Sequence, residues 1–166
     1  MIKIFAAAAL LPYGLARDVL VQIEGSRILS VEAGASPVGA SERYGLLLPS
    51  VGNLHSHAFQ RAMSGLAERR GQGEDTFWSW RTVMYQLALS MTPDDVEAVA
   101  AQLYVEMLEA GFCRVGEFHY LHHDRDGSAY ANVGEMGERI AAASVEAGIE
   151  LTLLPVFYAH GGFGEV

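Results

Sequence analysis

From residue 46 onward, apolar strand-like runs alternate with segments of helical period, and this alternation limits the fold more than any other feature. Leu46-Leu-Leu-Pro49 opens the series and leads to a strand ending in Asn53-Leu-His-Ser-His57. Thr92-Pro-Asp-Asp95 marks a helix start, with Thr as N-cap, Pro in the first turn and acids at the positive end of the dipole. Val96, Val99, Leu103, Met107 and Leu108 recur on one helical face, and Gly111 ends it. Cys113-Arg-Val-Gly-Glu-Phe-His-Tyr-Leu121 reads as a buried strand. A second helix is expected over about 133 to 147, closed by Gly148, and Ile149-Glu-Leu-Thr-Leu-Leu-Pro-Val-Phe-Tyr158 reads as the next strand. Strands separated by helices imply parallel pairing through right-handed crossovers, an α/β fold. Residues 58–91 form a long insertion with helical stretches, and a connection of that length is usually functional.

The first 45 residues follow a different pattern. Val19-Leu-Val-Gln-Ile23 and Ile28-Leu-Ser-Val31 flank Glu24-Gly-Ser-Arg27, a hairpin connection. Residues from Ala33 to Gly45, with Gly34, Pro37 and Gly39, read as a link. The start, MIKIFAAAALLPYGLA, has the apolar character of a signal peptide, but Pro12 and Gly14 read better as a turn after a first strand. No other segment approaches the length needed to span a bilayer, and the protein reads as cytoplasmic. The formal charge of −9, without a basic cluster beyond Arg69-Arg70, argues against nucleic-acid binding. The single cysteine, Cys113, excludes an internal disulfide framework and reads as a small buried apolar group.

In an extended chain, residues two apart point the same way. His55 and His57 therefore present both imidazoles to one side, with Ser56 turned away, at the carboxyl end of the first parallel strand. Active sites of α/β folds gather at that end. Two neutral imidazoles suit a divalent ion such as zinc, although a bare HxH also fits two hydrogen-bonding histidines without metal. Glu117 and His119 share a face of the next strand, with Tyr120 on the other face unless the strand has ended. Polar groups at the mouth of an apolar strand suggest a pocket. His122, His123, Asp124 and Asp126 read as a solvated loop. His160 is placed to line the same mouth, followed by glycines that suit turns better than phosphate binding. In the insertion, Phe77, Trp78, Trp80, Arg81 and Tyr85 form an aromatic cluster around one cation. Arg81 there is either a snorkelling side chain or a bidentate clamp for a carboxylate.

LHSHAFQRAMSGLAE, FWSWRTVMYQLA, QLYVEMLEAGFCRVGEFHYLHHD and LTLLPVFYAHGGFG together resemble the amidohydrolase superfamily, and more narrowly the N-formimidoyl-L-glutamate deiminases of histidine degradation. HxH alone marks the superfamily, whereas SHAFQRAM, FWSWR and EFHYLHHD are narrower. The resemblance runs from about Ile4 to the end of the chain. It implies a (β/α)8 barrel beside a small β-sandwich, with residues 1–45 as the amino-terminal part of the sandwich and 46–166 as the first three βα units of the barrel. It implies one Zn2+ per site, with other divalent metals able to substitute, and His55 and His57 as two of its ligands. Gln60, Arg81 and Tyr120 fall on substrate-contacting positions. The expected substrate is a small molecule with two carboxylates, for Arg81 and the Tyr120 hydroxyl, and an amidine-like head for the Gln60 amide. The implied reaction is metal-assisted hydrolysis to N-formyl-L-glutamate and ammonia. Neither a nucleic-acid nor a membrane partner is implied, and a homodimer of the full-length enzyme is compatible.

A hydrolytic zinc takes three protein ligands plus water, and only two convincing ones stand in this sequence. The remaining ligands and the proton-transferring groups of the family come from later strands, so no catalytic residue is assigned and they are expected beyond Val166. A barrel typically needs about 250 residues. The chain therefore reads as the amino-terminal portion of a longer enzyme, inactive alone. One alternative is another aminohydrolase of the superfamily acting on guanine or a related heterocycle. The other is a non-catalytic structural module, which would have no use for Gln60 and Arg81.

Overall fold

The computed structural model describes residues 1–66 and 77–157. Ile2–Leu11 forms strand β1, and Pro12-Tyr13 turns the chain into β2, Gly14–Glu24. The apolar start is thus a strand and a turn, as expected. Gly25 takes φ 57° in the two-residue connection to β3, Arg27–Glu32, a left-handed conformation natural to glycine. β1 pairs antiparallel with β2, and β2 antiparallel with β3. The stretch expected to be a link does not stay irregular to its end, because Glu42–Leu47 forms β4. β4 pairs parallel with β1 and completes a four-stranded sheet in the order β3-β2-β1-β4. Its pairing partner lies some forty residues away, which local composition cannot reveal. Ala9, Val19 and Val21 are buried together on this sheet.

The chain divides into two compact units, Met1–Ser50 and the part from Val51 onward. In the second, β5 (Val51–Ser56), β6 (Phe112–His119) and β7 (Glu150–Pro155) form a parallel sheet in sequence order. A 3-10 helix, Ala58–Met63, follows β5, and α1 spans Phe77–Ala88. α2, Pro93–Glu109, carries the chain to β6, and α3, Glu135–Ala147, carries it to β7. The expected α/β class is borne out in the order and direction of these elements.

α2 begins with a full capping box. Asp95 N–H donates to the Thr92 hydroxyl oxygen at 3.2 Å, and Thr92 N–H donates to the Asp95 carboxylate at 2.9 Å. Its most buried side chains are Val96, Ala100, Tyr104 and Met107, so the expected stripe is rotated slightly and Val99, Leu103 and Leu108 pack at its flank. α3 ends at Gly148 with φ 82°. Met136, Ile140 and Ala143 of α3 meet Val115 of β6 in the same core. Cys113 corrects the reading of a buried apolar group, since it is exposed. Among the described residues, no helix is long and apolar enough to cross a membrane.

Candidate functional site

β5 delivers His55 at its last turn of pleat, and His57 follows one residue past the strand end. Ser56 between them is buried and lies in register opposite Glu117 of β6, so the two imidazoles project from the other side. Their Nε2 atoms stand 3.0 Å apart. His57 Nδ1 lies 2.9 Å from the carbonyl oxygen of Phe118. A carbonyl only accepts, so Nδ1 carries the proton and Nε2 of His57 presents its lone pair. The His55 ring packs on Phe118 with centroids 4.5 Å apart, and its backbone N–H donates to Asn53 Oδ1 at 3.1 Å. Both rings are therefore held by β6 and by their own strand.

Beside His57 opens a cavity of about 620 Å³ lined by Gln60, Trp80, Arg81, Met84, Phe118 and Tyr120, among others. The 3-10 helix supplies Gln60, whose Nε2 donates to the Tyr120 hydroxyl at 3.0 Å. The Tyr120 ring meets that of His57 at 5.0 Å and that of Phe59 at 5.2 Å. β6 ends at His119, and Tyr120 just after it lines the same cavity as Phe118, on the side opposite Glu117 and His119, where it meets Gln60. On α1, residues 77, 80, 81, 84 and 85 share one helical face. Arg81 donates from Nε to the Tyr85 hydroxyl, and its guanidinium carbon lies 4.8 Å from the Tyr85 ring centroid and 5.5 Å from that of Trp78. The cation is thus seated among aromatic faces at the cavity wall.

The structure brings His55, His57, Gln60, Arg81 and Tyr120 to one region. Glu117 and His119 share a face, as alternation requires, but it is the helix-packed face. They are 1% and 4% exposed, and neither lines the cavity next to His57. Burial pushes the Glu117 carboxyl above its usual range, against the Ala58 amide and the Ser56 hydroxyl that favour its charge. Burial first, and the nearby His122 second, lower His119 to about 4. His122 Nε2 sits 2.8 Å from the Val156 carbonyl oxygen, and His123 to Ala129 form a small loop whose turn is closed by Gly127 N–H donating to Asp124 O. Asp126 caps the Ser128 amide in that loop. His160 lies outside the described residues. Phe118 and Met84 were not singled out in the sequence. Met84 has a signal there, the three-residue spacing from Arg81, while Phe118 acts through a backbone carbonyl that no sequence pattern marks.

Among the described residues, no group of three or more His, Cys, Asp or Glu side chains is gathered as a metal shell. The site as described offers two imidazole nitrogens on one spot, an aromatic-walled cavity, an amide, a phenol and a guanidinium.

The fold is similar to that of amidohydrolases of known structure. The chain superposes on atrazine chlorohydrolase from Arthrobacter aurescens, a structure complexed with zinc, with a TM-score of 0.71 at 20% identity, covering 93% of this chain and 35% of that one. It superposes on an amidohydrolase from Brucella melitensis with a TM-score of 0.92 at 59% identity, covering 99% of this chain and 37% of that one. Within this class the chain is similar to formimidoylglutamate deiminase. Residues 1–45 match the family described as formimidoylglutamate deiminase HutF, N-terminal domain. Over 165 residues the chain is 51% identical to the formimidoylglutamate deiminase of Pseudomonas aeruginosa, covering 99% of this chain. The chain spans 36% of that protein's length. The resemblance expected from the motifs, to an amino-terminal portion of such an enzyme, is borne out.

Proposed function

We propose that this chain supplies one side of the active site of a zinc-dependent hydrolase that deiminates N-formimidoyl-L-glutamate to N-formyl-L-glutamate and ammonia, a step of histidine degradation in the cytoplasm. The observation that carries the reading is the convergence of His57, Gln60, Arg81 and Tyr120 on one cavity beside two facing imidazole nitrogens.

The donor set fits zinc as far as it goes. Two imidazoles on one ion at about 2.0–2.1 Å and a tetrahedral angle stand about 3.3 Å apart, close to the observed 3.0 Å. When bound, the metal would supply water activation and Lewis-acid polarisation. The chain's own residues would do the rest of what this side requires. The Phe118 carbonyl keeps the His57 proton on Nδ1, so that Nε2 is a ligand rather than a donor. In the structure the Tyr120 hydroxyl accepts from Gln60 and donates to Met84 Sδ at 3.7 Å, and a substrate carboxylate would draw that proton from the sulfur, a weaker acceptor. Arg81, flanked by the Trp78 and Tyr85 rings, offers a planar cation to a second carboxylate. The rest of the cavity wall is mostly apolar, with Phe77, Trp80, Met84, Phe118 and Val156. Because a hydrolytic zinc takes three protein ligands, the described residues hold it incompletely, and the chain by itself is expected to release no ammonia.

A fusion of this chain to the part of the Pseudomonas aeruginosa enzyme that it does not cover tests the reading, with the natural enzyme as control. Zinc-loaded fusion should release ammonia from N-formimidoyl-L-glutamate and not from guanine. Arg81→Ala in that fusion should raise KM by about tenfold or more, the order of a lost charged hydrogen bond, with a smaller change in kcat. Turnover of guanine, or unchanged kinetics in the Arg81 variant, would contradict the assignment.

A further inference from the structure

Glu117 is a nearly fully buried carboxylate that the proposed chemistry does not use, and its contacts run to the HxH motif. Its Oε1 accepts the Ala58 N–H at 2.6 Å. Ala58 directly follows His57, and the next residue of β6, Phe118, accepts the His57 Nδ1 proton through its carbonyl at 2.9 Å. Two consecutive residues of one strand thus hold His57, one by its ring and one by the peptide that leaves it. At that peptide the chain stops being a strand and becomes a 3-10 helix, with His57 at φ −130°, ψ 83° as N-cap and no side-chain cap for the helix. The Glu117 carboxylate takes over that capping task from across the sheet. Among the described residues, its second oxygen and the Tyr104 hydroxyl, which lie near each other, are both buried without a hydrogen bond of normal geometry. Simple packing would not favour such a group, since burying a carboxylate costs more than burying an apolar side chain of similar size.

We propose that Glu117 is a positioning residue that fixes the direction of the His57 imidazole by anchoring the Ala58 amide. The proposal rests on the reading of His57 as a metal ligand for its importance, though not for its geometry. Glu117 touches neither substrate nor metal in this account and acts through His57 alone. What the anchor requires is an acceptor oxygen at this depth, which Gln can provide and an apolar residue cannot.

The test compares wild-type protein with Glu117→Gln and Glu117→Leu, and with Glu117→Ala as a smaller replacement should the Leu variant not fold. Nuclear magnetic resonance reads the Ala58 amide proton and the His57 tautomer, and a chromophoric chelator in competition reads zinc affinity. The amides of α2 and α3 report whether the fold is kept. Glu117→Gln should keep the downfield Ala58 amide, the Nδ1–H tautomer and near wild-type zinc affinity. The Leu or Ala variant, with α2 and α3 intact, should lose the downfield shift, mix the tautomers and weaken zinc binding by about 10- to 100-fold, as outer contacts to metal ligands typically do. A folded Leu or Ala variant that retains the wild-type amide shift and tautomer overturns the proposal. If those signals depend on Glu117 while the fusion to the remaining part of the Pseudomonas aeruginosa enzyme holds no zinc, the metal reading fails and the positioning role stands.

Discussion

His119 shows how burial alone sets the behaviour of a residue. Its imidazole is 4% exposed and its Nε2 has no hydrogen-bond partner among the described residues. Burial holds its pKa at about 4 in the folded protein, against about 6.5 in an unfolded chain. Between those values the unfolded chain binds the extra proton, so stability rises with pH across this window and falls as pH drops through it. His119→Leu removes that proton site. The unfolding free energy of wild type relative to the variant should therefore fall by about 3 kcal/mol on going from pH 7 to pH 4. Urea titrations at the two pH values measure it, and a difference independent of pH would show that the imidazole titrates normally. Residue identity named His119 a pocket candidate. Alternation told which residues share its face but not which face the helices would cover, so its interior position was not legible. Tyr120 was legible as lying opposite Glu117 and His119, and it shares the cavity side with Phe118.

Among the elements, the close approach of β5 and β6 matters most to the site. Gly116 lies where a Cβ would stand 3.1 Å from the Leu54 carbonyl oxygen, the residue before His55. A backbone atom in a paired strand cannot swing aside as a side chain can. Gly116→Ala should cost about 1–3 kcal/mol, typical of overpacking, and should disturb His55 more than residues of α3. Thermal melts and amide shifts check this; unchanged stability would mean that β5 yields freely. Elements with local signals were readable in advance. Thr92-Pro-Asp-Asp95 specifies both partners of its capping box, and Gly148 supplies the left-handed residue that ends α3. β4 was not readable, because Glu42-Arg-Tyr-Gly has no apolar alternation and its pairing with β1 is non-local. The apolar face of α2 was read nearly correctly, with Ala100 and Tyr104 missed because neither stands out in a count of aliphatic residues.

For the molecule as a whole, the α/β order and the resemblance to formimidoylglutamate deiminase were available from sequence, since strand ends and narrow motifs are contiguous. The convergence of Gln60, Arg81 and Tyr120 was available only through that resemblance, because no spacing joins a 3-10 helix, a separate helix and a strand end. The central claim concerns what lies between two nitrogens. Zinc K-edge X-ray absorption on protein loaded with one equivalent of zinc addresses it directly. The account predicts two imidazole nitrogens at about 2.0–2.1 Å, falling to one in His57→Ala. A spectrum of oxygen ligands alone, or one that the His57→Ala change leaves unaltered, would contradict it.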